Sequence, residues 1–222
     1  GFEQLEVTEA GLREGVFFSW LLDGDPPLFE DVRRSSVLNL AAHYAVDTKH
    51  TAHVATLALG LFDDLAAHGL HPGDAVEREL LWSACVLQDV GMVIEYDDHH
   101  HHSRYLVQHS GLPGFTQREV ALIGQMVRYH RKGEPSVGPL SALFGRGDEA
   151  LLRRCALMLR LAEGLERSRD QAVERVEVRA KKSGAVQLRL HTKADSASVA
   201  RWAVARESEL FARTFGHELR VS

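Results

Sequence analysis

Between Asp31 and Ser168 apolar residues recur three and four positions apart, and in three of these stripes a polar side chain stands where the pattern calls for a buried one. Val54, Leu57, Leu61 and Leu65 line one face of the helix spelled TKHTAHVATLALGLFDDLAAHG, and His50 lies one turn before Val54. Leu81, Ala84, Cys85 and Gln88 share a stripe in a helix over about residues 75 to 88, with Asp89 and Gly91 in or near its C-terminal turn. Leu152, Cys155, Ala156, Leu159 and Glu163 share a face over residues 148 to 168. Burying an unpaired neutral polar group costs roughly 1 to 3 kcal/mol, and an ion more, so something must offset the burial. A divalent cation shared by imidazole and carboxylates does so, because those donors suit Mg, Mn, Fe or Zn. One hydrogen bond would satisfy any single histidine. Three such positions on separate helices, with His99, His100 and His130 elsewhere, put a shared site and a set of locally satisfied residues on an equal footing.

The remaining pattern extends this helical frame. DVRRSSVLNLAAHYA reads as a helix, another begins near His102, and a further one covers about residues 116 to 130 with Val120, Ile123, Val127 and His130 aligned. The run His99 to His102 follows YDD; at least two of its members must face solvent, and Asp97 or Asp98 can cap the next helix. In RYHRK, residues 128 to 132, Arg128, Arg131 and Lys132 surround His130 and suit either a helix C-terminus or a phosphate. His68, His71, His109, His191 and His217 read as surface residues. After Ser168 the period shortens to two. AVERVEVRA and AVQLRLHT flank KKSG as a β-hairpin, SASVARWAVARESELFARTFG reads as one amphipathic helix capped by Ser196 or Ser198, and HELRVS as a closing strand. Ahead of Asp31, EQLEV reads as a strand, LREGVFFSWLL as a helix and LLDGDPPLFED as a linker. The expected fold is mainly α with a small C-terminal hairpin-plus-helix appendage, organised as residues 1–30, 31–170 and 171–222.

Charge excludes one class of partner. A net charge of −5 over 222 residues argues against binding DNA through bulk charge, although local basic clusters can still hold an anion. No apolar run nears the roughly 18 residues of a membrane span, and the first residues carry neither a basic leader nor an apolar core of a secretory signal, so a cytoplasmic protein is expected. Cys85 and Cys155 each sit in an apolar helical stripe and read as small core residues.

HTAHVATLALGLFDDL, LLWSACVLQDVG, HHHHSRYLV, RYHRK and LRLAEGLERS, in this order, resemble the C-terminal HD-type domain of the exopolyphosphatase and guanosine pentaphosphate phosphatase (Ppx/GppA) family over most of residues 31 to 190. LEVTEAGLREGVFFSWLL resembles the end of that family's actin-like catalytic region. The resemblance implies an HD-domain-like helical bundle whose metal pattern is a first His, a His-Asp pair and a later Asp. His50 and Asp89 match it; Gln88 stands in place of the paired histidine and Glu163 in place of the final aspartate. It further implies His50, Asp89, His99, His100 and Glu163 as metal ligands, Asp89 and His130 as catalytic, and Arg128, Arg131 and Lys132 as phosphate-binding. The implied partners are polyphosphate or another phosphate-containing small molecule and a second copy of the chain as a homodimer, with neither DNA nor a membrane. Two functions follow. One is a metal-dependent phosphohydrolase with a weakened site; the other is a non-catalytic polyphosphate- or nucleotide-binding and dimerisation domain that holds no metal. In such two-part proteins the phosphoanhydride chemistry is attributed to the actin-like domains, so the resemblance implies that this chain alone does not hydrolyse polyphosphate by the family's main route.

Overall fold

Short polar side chains start four of the described helices. Asp31 accepts a hydrogen bond from the Arg34 N–H (2.8 Å) to open α1 (Val32–His43), and Asp47 accepts from the Lys49 and His50 N–H groups (3.1 Å each) to open α2 (Thr48–Ala67). Asp74 does the same for α3 (Ala75–Leu87) through Val76 and Glu77. A 3-10 turn over Val90–Val93 leads into α4 (His99–His109), and a capping box of Thr116 and Glu119 opens α5 (Gln117–Arg128). Helix α6 (Asp148–Leu165) completes the bundle. The computed structural model describes residues 30–180, 184–193 and 197–222, together with Val16 and Trp20. The strand and helix expected near the start, most of the linker, the centre of the hairpin loop and Ser196 lie outside the described residues.

The apolar stripes meet where their spacing directs them. Helix α2 packs against α3 and α6, α3 against α5, and α4 against α5, around a core of Phe62, Leu65, Leu81, Ile123, Met126 and Leu152, all essentially without solvent contact. Cys85 and Cys155 are free thiols inside this core, as expected. Arg33 ties three segments together: it donates to Glu79 on α3 (2.8 Å), to both carboxylate oxygens of Glu119 on α5 and to the Gly114 carbonyl (2.9 Å). Strand β1 (Val173–Ala180) pairs antiparallel with β2 (Val186–Thr192), with Val176 opposite Leu190 and Val178 opposite Leu188. The hairpin docks on α2, where the Val178 N–H donates to Asp64 (3.0 Å) and the ring Nε2 of His53 meets the Val173 carbonyl (2.8 Å). Helices α7 (Ser198–Ala205) and α8 (Ser208–Phe215) follow, and β3 (Leu219–Val221) adds to β2 in parallel. The architecture is mainly α with a small β appendage.

Four local details differ from the sequence pattern. The C-terminal amphipathic segment is two helices. Its break falls at Arg206 and Glu207, where Glu207 turns its carboxylate to Arg160 on α6. Helix α4 begins at His99, three residues earlier than the pattern suggested, so the histidine run is its first turn. Asp98 precedes it in a left-handed conformation (φ 53°) and makes no capping bond, because its carboxylate accepts from Lys132 (2.9 Å) instead. His71 is buried, not exposed: its Nε2–H donates to the Phe62 carbonyl (2.8 Å), its Nδ1 accepts from the Gly73 N–H (3.2 Å), and burial lowers its pKa, keeping the ring neutral.

One glycine sets the distance between the 3-10 turn and α4. The Gly91 N–H donates to Ser103 Oγ on α4 (2.8 Å), and a Cβ at Gly91 would stand 2.3 Å from the Ser103 nitrogen and 2.4 Å from the His99 carbonyl oxygen. Both are backbone atoms and neither can step aside without moving α4. Gly91→Ala is therefore expected to cost about 3 kcal/mol or more, at the upper end of overpacking penalties; urea unfolding checks it, and a loss below about 1 kcal/mol, within the range of ordinary substitutions, would show the contact to be looser than described.

Candidate functional site

The polar residues of the three stripes converge. Asp47 holds the first turn of α2 so that His50 points into the bundle, and α3 ends at Leu87 so that Gln88 and Asp89 fall at the junction with the 3-10 turn. Glu163 projects from the last turn of α6 towards both. The His50 Nε2–H donates to Glu163 Oε2 (3.1 Å), and the Gln88 amide nitrogen donates to the same oxygen (3.0 Å). His50 Nε2 also lies 3.9 Å from Asp89 Oδ2. Burial would lower the pKa of His50, but the Glu163 carboxylate raises it above the ordinary value. Glu163 is half-buried at the edge of a cleft, while His50, Gln88 and Asp89 are buried.

Asp89 presents two different faces. Its Oδ2 accepts from Arg169 Nη2 (2.9 Å). Its Oδ1 faces His99 Nε2 at 3.3 Å and His130 Nε2 at 3.9 Å, and those two ring nitrogens are 3.2 Å apart. Nδ1 of His99 lies 2.8 Å from the Tyr96 oxygen and 3.3 Å from Arg131 Nη1, and Nδ1 of His130 lies 2.7 Å from the Val127 oxygen; with Nδ1 protonated towards these carbonyls, each Nε2 is left to take a cation or a second proton shared with Asp89. The two Nε2 atoms and a carboxylate oxygen thus point at one another. That arrangement is stable when a proton or a cation lies between them. Burial pushes the His130 pKa down, which opposes the proton at that ring. Burial would raise the Asp89 pKa, but a hydrogen bond from the His99 ring, the His130 ring beside it and the Arg169 guanidinium hold the carboxyl down to about 2, so it is ionised at neutral pH. The ligand-capable atoms of Asp89, His99 and His130 all lie within 4.8 Å of one another, and all three residues are buried.

This group forms the floor of a cleft of about 640 Å³. Its walls carry Arg131 and Lys132 from the segment after α5, Arg160 and Glu163 from α6, Arg167 and Arg169 from the turn beyond, and Trp202, Arg206 and Glu207 from the C-terminal helices. Arg160 pairs with Glu207 (2.6 Å), Lys132 with Asp98 and Arg169 with Asp89. Arg131, Arg167 and Arg206 have no carboxylate partner among the described residues. Arg131 lies by Tyr96 (5.6 Å), with its Nη1 3.3 Å from His99 Nδ1, and Arg167 and Arg206 lie by Trp202 (5.9 and 5.0 Å). Three guanidiniums without counter-ions beside an open cleft make a receptor for an anion with several oxygens. A second groove of about 510 Å³ beside α1, lined by Val32, Leu40, His43, Tyr44 and Pro113, gathers no such charges.

Two residues expected at the site stand apart from it. His100 is buried behind the group, its ring 6.3 Å from that of His130, and does not line the cleft; Asp98 Oδ1 is 3.9 Å from its Nε2 and His101 is beside it, and burial and the neighbouring Arg128 push its pKa down to about 3. Arg128 is the last residue of α5, lies over the Tyr129 ring (5.1 Å) and does not line the cleft. Conversely, Arg169 went unread in the sequence. It follows α6 in a left-handed conformation (φ 56°), and Gln171 nearby does the same (φ 53°). Glu166, also unread, is buried and accepts from the Gln171 N–H (3.1 Å), which folds this turn back towards Asp89. The DGDP and NG-like signals that announce turns are missing at RSRDQ, so nothing in the pattern marked it.

Comparison with known proteins places this geometry in a lineage. Residues 32–205 match the family described as Ppx/GppA phosphatase, domain III. The chain is 32% identical over 178 residues to the guanosine-5'-triphosphate,3'-diphosphate pyrophosphatase of Vibrio vulnificus strain YJ016, covering 78% of this chain and 34% of that protein. It is 30% identical over 172 residues to the pyrophosphatase of the same name from Vibrio cholerae O1 El Tor Inaba N16961, covering 78% and 33%. The like-named protein of Pseudoalteromonas translucida TAC 125 is 33% identical over 143 residues, covering 59% and 26%. The chain thus spans about a third of the length of these relatives. Among the described residues no helix is long and apolar enough to cross a membrane.

Glu163 is the acceptor on which His50 and Gln88 both depend, so Glu163→Ala strands two donors at once. At about 1 to 3 kcal/mol for each buried unsatisfied group, and with part of the gap open to water, a loss of about 2 to 4 kcal/mol is expected in urea unfolding. A change below about 0.5 kcal/mol, the size of a neutral surface substitution, would mean that the two donors are satisfied elsewhere.

Proposed function

The chain belongs to the Ppx/GppA phosphatase family, and we propose that it forms the C-terminal region of an exopolyphosphatase- or guanosine pentaphosphate phosphatase-like phosphohydrolase, supplying a cleft that binds the substrate's phosphate chain with a divalent cation. One observation carries this reading: the cleft joins a three-ligand acceptor group, Asp89, His99 and His130, to Arg131, Arg167 and Arg206, which lack carboxylate partners among the described residues. The relatives bear the name of enzymes acting on a guanosine phosphate, and a phosphate chain matches the charge of these walls.

The donor set fits a cation. Two imidazoles with fixed tautomers and one ionised carboxylate suit Mn, Fe or Zn better than Mg, which prefers oxygen ligands. Held there, such an ion would supply a Lewis acid for a phosphoryl oxygen. Arg131, Arg167 and Arg206 would each hold further phosphate oxygens, and Trp202 would close the outer wall. Residues 1–30 join this region to the preceding part of a longer phosphatase, residues 31–170 form its helical body and 171–222 its appendage. Hydrolysis by this chain itself is the competing reading, favoured by His130 standing within 3.9 Å of Asp89.

Calorimetric titration with inorganic tripolyphosphate and Mn(II) tests the proposal. Tripolyphosphate is expected to bind more tightly with Mn(II) present, and Arg131→Ala, Arg167→Ala and Arg206→Ala to weaken it by about 10-fold each, the usual worth of one charged hydrogen bond. His99→Ala and His130→Ala should remove the Mn(II) effect. Binding that ignores all five substitutions would refute the assignment, and tripolyphosphate turnover lost in His130→Ala would move catalysis into this cleft.

A further inference from the structure

The Asp89 carboxylate is served from two sides, and the two sides differ in what they lack. On the Oδ1 side stand only the Nε2 atoms of His99 and His130 among the described residues, with no guanidinium or ammonium group beside them. On the Oδ2 side, where His50, position 88 and Glu163 converge, the charges are already balanced by the protein. Arg169 brings a guanidinium to 2.9 Å of Asp89 Oδ2 and to 4.0 Å of Asp47 Oδ2, and the Gln88 amide donates to Glu163 Oε2, where an imidazole would offer a lone pair. His50 spends its Nε2 proton on the same Glu163 oxygen. The leftover atoms are His50 Nδ1 and Gln88 Oε1, both buried and without a hydrogen-bond partner.

We infer that Arg169 is a built-in replacement for a metal ion in the His50, Gln88, Asp89 and Glu163 half of the cleft, so that the cleft takes a single divalent cation, on the Oδ1 face of Asp89. This rests on the reading of the cleft given above. The chemistry supports a displacement rather than coexistence. A divalent ion bound to Asp89 Oδ2 would lie against a guanidinium that already donates to that oxygen, and like charges at such range repel strongly in a partly buried site. The turn that delivers Arg169 departs from ordinary backbone geometry at two non-glycine residues, Arg169 and Gln171, and is held by buried Glu166, so the side chain is placed by a dedicated piece of structure. A guanidinium neutralises a carboxylate or a phosphate oxygen, but it does not lower the pKa of a bound water as a metal does. The consequence is a centre with one cation position where paired-metal hydrolases have two, suited to holding a phosphate chain more than to generating a nucleophile.

The test counts Mn(II) ions on the full chain by calorimetry and by electron paramagnetic resonance, with circular dichroism as a control on folding. Gln88→His restores an imidazole but keeps the guanidinium, and is expected to bind the same number of ions as the parent. Gln88→His with Arg169→Gln is expected to bind one more, with spin coupling between neighbouring ions; Gln88→His with Arg169→Lys, which keeps the charge, should not. Arg169→Met repeats the experiment if the Gln variant folds poorly. An extra ion in Gln88→His with Arg169 intact would overturn the inference, as would no extra ion once the guanidinium is gone. The parent count answers a separate question: a parent without Mn(II), or one whose Mn(II) survives His99→Ala, defeats the reading of the Oδ1 face and leaves the Arg169 comparison to be decided by the difference between the paired variants.

Discussion

Everything in the cleft is arranged around one buried, ionised carboxylate. Asp89 is 6% exposed, and a lone charge at that depth would cost several kcal/mol. The fold meets that cost with a permanent charge on one oxygen only. Arg169 attends to Oδ2, while Oδ1 faces two imidazole nitrogens whose rings are set by their own backbone contacts. The asymmetry dictates what surrounds it. Helix α3 must end at Leu87 so that Asp89 falls inside the bundle, α4 must start at His99 so that its first ring reaches Oδ1, and Gly91 must lack a side chain so that the 3-10 turn carrying it can lie against α4. A shift of any of them by one residue would turn Asp89 or His99 out of the cleft, since neighbouring helical positions point about 100° apart.

Much of this was legible before any coordinates. The stripe positions of His50, Gln88 and Glu163 directed three side chains inward, and they meet, because in an amphipathic helix the direction of a side chain follows from its place in the period. The mainly helical architecture and the hairpin followed from the same change of period. The histidine run was legible only in part. Four successive residues on a helix fan out over most of a full turn, so sequence could require that some face inward without saying which; the start of α4 at His99 sends His99 to Asp89 and His100 towards Asp98 and His101. Arg169 and Glu166 were beyond the method, since they act through a turn of left-handed backbone where neither residue type nor spacing announces the conformation. Arg160, Arg167 and Arg206 sit at polar positions that a solvent-facing surface would also use, and only the closing of α7 and α8 over α6 makes them one wall.

The wall explains how a chain of net charge −5 presents an attractive face to an anion. Its cations are concentrated where the tertiary fold brings α6, the turn after it and the C-terminal helices together, and its carboxylates there are mostly engaged: Asp98 by Lys132, Glu207 by Arg160, Asp89 by Arg169. Net charge measures long-range attraction, screened beyond about 10 Å at ordinary salt. Within the cleft the nearer, unmatched guanidiniums decide, and their forked donors suit phosphate oxygens in a way that a diffuse basic surface would not.

An internal cation also bears on folding. A site built only from acceptors must wait for a metal before its charges balance, so its stability follows metal supply. Here the His50 half is closed by Gln88 and Arg169 and needs no ion to fold, while the His99 and His130 half stays open to one. On the reading proposed above, the two halves divide the labour of a metal centre: one is held by protein groups alone, and the other would take the cation. Because both halves share Asp89, a cation on Oδ1 would compete with Arg169 for that carboxylate and leave the guanidinium more available to an anion, so that metal and phosphate would favour each other through a single side chain.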